Sequence, residues 1–235
     1  MKILVGGPAR EMESEMFQAH KRCLENQENI EVDFFYLEDT GATNHVGREG
    51  HRWDPRRVQR VARLRQRFLD TFFYDGGAYD YAAMVDTDLL CGKFTLVRMV
   101  RELERVDAQV AYGVFWTDWG QGPQPQVWDV QPYGFRDPKL ATRLADGETV
   151  RVAGGGACTV FTRAAAECCR YYPLIDSLPR DGTMWFGEDR TFALCCEVHR
   201  LRQVAVGDVR IAHLYDERMR TSDKIQYALN TVGQA

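Results

Sequence analysis

Two kinds of segment alternate between residues 2 and 114, and that alternation restricts the possible folds more than any other feature of the chain. Lys2 to Val5 is a short apolar run closed by Gly6-Gly7, the pattern of a buried first strand. Met12, Met16, Phe17, His20, Cys23 and Leu24 then recur on one helical face. Val32 to Leu37 is β-branched and aromatic, which suits a second strand. After a polar stretch over 38–53, Asp54-Pro55 opens a helix, with Asp as N-cap and Pro in the first position. Its apolar stripe is Val58, Val61, Ala62, Leu64, Phe68, Leu69 and Phe72. Tyr79 to Val85 reads as a third strand and runs directly into Asp86-Thr87-Asp88. A helix carrying Phe94, Leu96, Val97, Val100 and Leu103 follows, then a strand over Gln109 to Val114. Strands alternating with helices predict an α/β, Rossmann-like fold with a mainly parallel central sheet covered on both faces. Ligands of such sheets bind beyond the C-terminal strand ends, where Asp86 and Asp88 fall.

Residues 115–150 break the alternation. They hold Trp116, Trp119 and Trp128 among Gly, Pro, Gln and Asp, and a long irregular segment of this kind in a compact domain is usually functional. Regular structure resumes after Gly154-Gly155-Gly156 with Ala157 to Phe161, a helix from Arg163 to Tyr171, and a loop through Pro173 and Pro179. A helix over Glu188 to Arg200, a strand over Gln203 to Val206 and a partly helical tail from Ile211 complete the pattern.

The bulk properties exclude several classes. The 235 residues suffice for one α/β domain and are tight for two. A formal net charge of -4 does not suit a protein that coats nucleic acid, so any polyanion site must be local. No apolar run reaches the roughly 18 residues a membrane helix needs. Ile3-Leu4-Val5 is too short for the apolar region of a signal peptide, so a cytoplasmic location is expected. The seven cysteines show no CxxC spacing, and most lie in apolar stretches, as buried reduced thiols do.

The pair Asp86 and Asp88 carries the sharpest chemical signal. If the strand persists, both carboxylates point the same way and repel, a cost that a hard divalent cation relieves. Such a cation, completed by diphosphate oxygens and water, would be magnesium or manganese. The plainer alternative is a turn whose aspartates cap the next element.

The apolar strand Tyr81-Ala82-Ala83-Met84-Val85 leading into Asp86-Thr87-Asp88 resembles the DxD segment of GT-A glycosyltransferases, including the family 2-like enzymes. Three further segments match in order. Gly154-Gly155-Gly156 with Ala157 to Phe161 and Thr162-Arg163 resembles the family's glycine loop before a buried strand. Trp185-Phe186-Gly187-Glu188-Asp189 is similar to its xED segment, and His213 to its C-terminal metal-binding histidine. The first strand with Gly6, Gly7 and Pro8 matches the nucleotide-binding start in character only.

This resemblance implies a single GT-A type domain over 1–235, with a nucleotide-binding half over 1–114 and an acceptor-binding half over 115–235. It implies an enzyme that moves a sugar from a nucleotide-sugar donor, a UDP- or GDP-sugar, to the hydroxyl of an acceptor that is a glycan, small molecule or protein. Asp88, with Asp86 and His213, would hold Mn2+ or Mg2+, and Asp86 would also lie near the ribose. Asp189 would be the general base of an inverting transfer, with Glu188 holding hydroxyls. Gly6, Gly7, Pro8, Arg63, Asp86, Gly155 and Gly156 would face the donor.

Each assignment has a plainer counterpart. Glu188-Asp189 would also suit the positive end of a helix. His213 would also serve as a core histidine bonded to the backbone, and the three glycines as a flexible loop. The arginine-rich helix, Arg56 to Arg67, is mostly a solvated face, with Arg63 or Arg60 placed to reach a diphosphate. Trp116, Asp118, Trp119, Trp128, Asp129 and Tyr133 offer rings and acids for sugar recognition, or else form a packed surface loop. A nucleotidyltransferase needs a glycine-rich loop with a basic residue after the first strand, and Gly6-Gly7-Pro8-Ala9-Arg10 is a weak version of one. A phosphatase would carry its DxD on the first strand, not the third. A non-catalytic nucleotide-sugar-binding protein is the alternative from another class, and a nucleic-acid-binding role rests on the arginine-rich helix alone.

Overall fold

The computed structural model describes residues 1–40, 55–118, 122–130, 135–171 and 187–234. The first part of the chain forms β1 (Lys2–Ala9), α1 (Glu15–Glu25), β2 (Glu31–Glu38), α2 (Pro55–Phe73), β3 (Tyr81–Val85), β4 (Leu89–Cys91), α3 (Thr95–Arg105) and β5 (Val110–Gly113). Short strands follow: β6 (Trp116–Asp118), β7 (Pro123–Pro125) and β8 (Val127–Trp128), then α4 (Leu140–Ala145), β9 (Thr149–Arg151), β10 (Gly154–Gly155) and β11 (Cys158–Phe161). The chain ends with α5 (Arg163–Cys168), α6 (Glu188–Val198), β12 (Gln203–Val206), β13 (Ile211–His213) and α7 (Ser222–Val232).

The central sheet has seven strands in the order β2-β1-β3-β11-β5-β12-β9. The β1–β2, β1–β3 and β5–β12 pairs are parallel, and β11 runs antiparallel between β3 and β5, with β9 antiparallel at the edge. The expectation of a mainly parallel, two-sided sheet is met. Side chains alternate between the two cores as the strand period requires. Leu4, Ala82, Met84, Tyr112, Phe161 and Ala205 join Phe68, Phe72 and Phe192 of α2 and α6. Their neighbours Ile3, Val5, Ala83, Val85, Ala111, Val160 and Val204 pack against Leu96, Met99, Val100 and Leu103 of α3.

Several elements differ from the sequence pattern: the segment 115–150, read as irregular, carries β6 to β9 and α4, the tail begins with the strand β13, and three further differences concern β1, α3 and β4. Gly6-Gly7 does not close β1, which continues to Ala9 in register with β2. A Cβ at Gly6 would lie 2.0 Å from the Phe35 carbonyl oxygen, so this glycine is required by the close approach of the neighbouring strand. Phe94 is not part of the apolar stripe of α3. It is the N-cap residue, half exposed and without a side-chain cap bond. The buried Gln27 supplies that function instead: its Oε1 accepts from the Leu96 N–H at 2.9 Å, and its Nε2 donates to the Gly92 carbonyl at 2.8 Å. The strand β4, directly after Asp88, has no signal of its own in the sequence pattern. It pairs antiparallel with β13.

An isolated pair of three-residue strands is not stable alone. This pair is held from α1 and α7, where Met16, Ala19, Cys23, Leu90, Leu214, Ile225, Ala228 and Val232 form one buried cluster. It is also pinned by His20, which is fully buried. A carbonyl only accepts, so Nδ1 of His20 donates to the Leu89 oxygen at 2.8 Å, and the neutral ring accepts from the Tyr36 hydroxyl through Nε2 at 2.8 Å.

Burial pulls the His20 imidazole down from 6.5 to about 4, against the opposing hydrogen bond to Leu89. The unfolded chain therefore binds this proton more readily, so the contribution is fully present above pH 6.5 and is lost as pH falls through about 4. His20→Leu leaves two polar partners unmatched and is expected to cost about 1–3 kcal/mol at neutral pH. Urea unfolding should also show a shallower loss of stability between pH 6.5 and 4 in the variant than in the parent.

Candidate active site

The third strand ends at Val85, and Asp86 to Leu89 form a turn closed by the Leu89 N–H on the Asp86 carbonyl at 3.0 Å. The two aspartates are therefore not neighbours along one strand face, as the sequence pattern assumed. The turn nevertheless keeps Asp88 close enough to push the Asp86 carboxyl upward, an effect secondary to burial and to the opposing charge of Arg65.

Asp86 is held from α2. Nη2 of Arg65 donates to its two carboxylate oxygens at 2.9 and 3.1 Å. On its other side the Arg65 Nε lies 3.5 Å from Oε1 of Glu188, and both side chains are only 9% exposed. Arg65 thus bridges β3 to the first turn of α6, where Glu188 and Asp189 face the positive helix end. Burial pushes Glu188 up to about 7, Arg65 opposes that, and Asp189 and Asp86 reinforce it.

Asp88 is held from the C-terminal segment. The Leu214 N–H donates to its main-chain carbonyl at 2.9 Å. Its Oδ2 lies 3.6 Å from Nε2 of His213 and 3.2 Å from Nη2 of Arg220. Burial pushes the Asp88 carboxyl up, but His213 and Arg220 outweigh it and hold the group below the usual carboxylate value. His213 is fixed on its far side by the Thr117 hydroxyl, 2.7 Å from Nδ1, and by the Phe115 ring edge. The pairing with Asp88 needs a proton on Nε2, whereas a proton on Nδ1 alone would leave Nε2 free to bind a cation. Among the described residues no group of three or more His, Cys, Asp or Glu side chains is arranged to hold a metal. The Asp88 carboxylate and the His213 imidazole are two groups that could hold a dication completed by water and phosphate oxygens.

The glycine run is packed rather than loose. Cβ atoms at Gly154 and Gly155 would collide with the Trp128 and Tyr112 rings at 2.5 and 2.7 Å, because β10 pairs with β8. Gly155 therefore serves the core, and it is Gly156 that borders the half-buried Asp189, with a Cβ there lying 3.1 Å from its Oδ2. Gly6 and Gly7 are buried within β1, and Pro8 is half-buried near its end.

The arginines of α2 sort differently from the sequence reading. Arg63 is exposed and lies about 200° around the helix from Arg65. Arg60 pairs with the buried Asp39 at the end of β2, as does Arg10 at 2.7 Å. Arg10 Nη1 and Arg60 Nη2 are buried without an acceptor. Arg57 and Arg60 lie about 60° apart around α2, while Arg65 stands about 80° to the other side of Arg57 and about 12 Å along the axis from it, so Arg60 and Arg65 serve different parts of the site.

Of the aromatic segment, Trp116 is 37% exposed while Trp128 is buried against Ala193, so Trp128 is a core residue and Trp116 remains accessible. Asp129 accepts the Arg136 and Asp137 N–H groups and so shapes its own loop, whereas Asp118 is exposed. Trp119, Tyr133, Trp185, Phe186 and the Asp54 cap lie outside the described residues. Sequence reasoning missed Arg65, Thr117, Asp39 and Arg220. Arg65 was readable: it stands four after Val61, three before Phe68 and seven before Phe72, within the apolar stripe.

No protein-family model matches the chain, and no curated protein matches it in sequence. Solved structures do. A197 from STIV aligns with 18% identity and a TM-score of 0.52 over 92% of this chain and 87% of its own. S. aureus TarS 1-349 aligns with 14% identity and a TM-score of 0.51, over 88% of this chain and 58% of that one. A Drosophila β1,4-galactosyltransferase 7 mutant aligns with 13% identity and a TM-score of 0.50, over 94% of this chain and 74% of its own. The matched structures are GT-A domains, and the chain has the GT-A fold.

The Arg65 bridge makes a pH-dependent prediction. Glu188 holds its proton more tightly folded than unfolded, so its contribution is present below about 4.5 and is lost as pH rises through about 7. Glu188→Gln should flatten the fall in unfolding free energy between pH 5 and 8. Arg65→Met, which leaves buried carboxylates without their cation, should cost about 3–5 kcal/mol at pH 8 and less at pH 5. Parallel pH profiles for parent and Glu188→Gln would contradict the assignment.

Proposed function

We propose that the chain is a metal-dependent glycosyltransferase that moves a sugar from a nucleotide-diphosphate sugar to an acceptor hydroxyl. The observation that carries this reading is the meeting of Asp88 Oδ2 and His213 Nε2, 3.6 Å apart, at the C-terminal edge of a GT-A sheet. The Thr117 hydroxyl orients the imidazole by its contact with Nδ1. Two of the matched proteins lend support: S. aureus TarS 1-349 was solved with UDP, and the galactosyltransferase with manganese, UDP-Gal and xylobiose.

Asp88 and His213 would hold Mn2+ or Mg2+, which supplies Lewis-acid neutralisation of the departing diphosphate. The chain's own residues do the rest. Arg65 fixes Asp86 towards the ribose, and Arg60 with Asp39 and Arg10 offers donors and an acceptor to the nucleoside end. The unpaired N–H groups of Arg10 and Arg60 are what such a ligand would satisfy. Gly6, Gly7 and Pro8 form the floor beneath it. Asp189, beside Gly156 and at the positive end of α6, takes the proton from the acceptor hydroxyl, and a base in that role implies inversion. Glu188, buried against Arg65, is a positioning residue in this reading. Exposed Trp116 and Asp118 offer a stacking face and an acceptor of hydroxyl bonds to a glycan, small molecule or protein.

We read residues 1–114 as the donor half and 115–235 as the acceptor half of one unit. Among the described residues no helix is long and apolar enough to cross a membrane, which is compatible with a cytoplasmic enzyme.

Calorimetric titration with UDP, GDP and their sugar conjugates, in Mn2+ and in EDTA, tests the donor assignment. One nucleotide should bind in a metal-dependent way, and Asp88→Asn should abolish that dependence. Asp189→Asn should keep nucleotide binding and lose about 10²–10⁴-fold in turnover, measured as donor hydrolysis or transfer. Binding without turnover in the parent would favour a non-catalytic nucleotide-sugar-binding protein. Absence of binding by any nucleotide would remove the reading.

A further inference from the structure

The guanidinium of Arg220 lies against the same carboxylate oxygen that faces His213. Its Nη2 is 3.2 Å from Asp88 Oδ2, while its Nε donates to the Leu214 carbonyl at 2.8 Å. The Arg220 side chain is 31% exposed, and it follows the short 3-10 turn Glu217–Met219 instead of being fixed within a long element. Asp86, Asp88, Glu188 and Asp189 gather here, and Arg220 is the cation that sits on the one carboxylate assigned to the metal.

We propose that Arg220 is a built-in counter-cation. Paired with Asp88 as observed, it moves from Asp88 to the donor's diphosphate when nucleotide and metal arrive, so that the two bind cooperatively. This rests on the transferase reading above and concerns the same site.

The physical argument has three parts. First, a dication and a guanidinium on one carboxylate oxygen repel each other, so Arg220 in its observed place weakens metal binding. Second, the half-exposed guanidinium has the chemistry its new partner needs. Its Nε anchor on Leu214 holds the guanidinium at the edge of the site, and a planar guanidinium matches phosphate oxygens in a bidentate manner. Third, the exchange is reciprocal. A diphosphate that draws Arg220 off Asp88 raises metal affinity, and a metal that displaces Arg220 raises diphosphate affinity by the same factor. Arg220 is thus a positioning and coupling residue, distinct from the ligands Asp88 and His213.

The test is Mn2+ binding, followed by the electron paramagnetic resonance signal of free Mn2+, with no nucleotide and then with saturating UDP or GDP. The full chain and its Arg220→Met, Arg220→Lys and Asp88→Asn variants are compared, each checked for a parent-like melting transition. Arg220→Met should bind Mn2+ alone about tenfold or more tightly than the parent, because a like charge beside the dication is gone. The gain in Mn2+ affinity on adding nucleotide should shrink in Arg220→Met and be largely kept in Arg220→Lys. Mn2+ affinity in Arg220→Met equal to or weaker than the parent, with undiminished nucleotide coupling, would overturn the proposal while leaving the transferase reading in place. Failure of Mn2+ to bind the parent and every variant, even with nucleotide, would remove the metal reading and this inference with it.

Discussion

Everything at the candidate site depends on one short antiparallel pairing, Ile211–His213 against Leu89–Cys91. Without it, residues 88 and 213 have no reason to meet. The pairing places His213 opposite Leu89, the residue after Asp88, and the next N–H, that of Leu214, closes on the Asp88 carbonyl. Six residues cannot sustain such a ladder alone. The buried apolar contacts of α1 and α7 and the His20 bridge to the Leu89 oxygen hold it in register. The site therefore inherits its geometry from the packing of the two ends of the chain on the same small strand.

A second constraint is electrostatic. Asp86, Asp88, Glu188 and Asp189 arrive from two distant parts of the sequence, and Arg65 is the buried link between them. A buried cation with two carboxylates contributes little net stability but is costly to break. Its structural consequence is definite: it fixes the end of β3 relative to the first turn of α6. That same fixing sets Asp189 beside Gly156, where the absence of a side chain leaves room for the carboxylate. Asp88 is paired instead with His213 and with Arg220, whose guanidinium follows the 3-10 turn Glu217–Met219.

Much of the fold was legible in the sequence because it follows from local periodicity. The alternation of Ile3, Val5, Ala83 and Val85 with Leu4, Ala82 and Met84 gives a sheet buried on both sides, and Asp86-Thr87-Asp88 falls at a strand end as read. Arg65 was legible too, as a charge standing inside an apolar stripe, although residue type alone puts Arg63 and Arg60 forward equally. What was not legible depends on distant pairing. Nothing local marks Leu89–Cys91 as the partner of Ile211–His213, or Arg220 as the neighbour of Asp88. Trp116 and Trp128 look alike in sequence, and only the pairing of β8 with β10 buries the second against Gly154. The three glycines likewise read as a loop until Tyr112 and Trp128 are seen to occupy the space their side chains would fill.

The central claim is that Asp88 and His213 hold a dication bridging a nucleotide diphosphate. A crystal of the full chain grown with Mn2+ and the nucleotide it binds, measured at the manganese absorption edge, tests it most directly. The account predicts an anomalous peak between Asp88 Oδ2 and His213 Nε2, with diphosphate oxygens completing its shell and the Arg220 guanidinium moved from Asp88 onto the phosphates. A nucleotide bound at the ends of the sheet strands with no anomalous peak at Asp88, or a peak on other side chains, would contradict it.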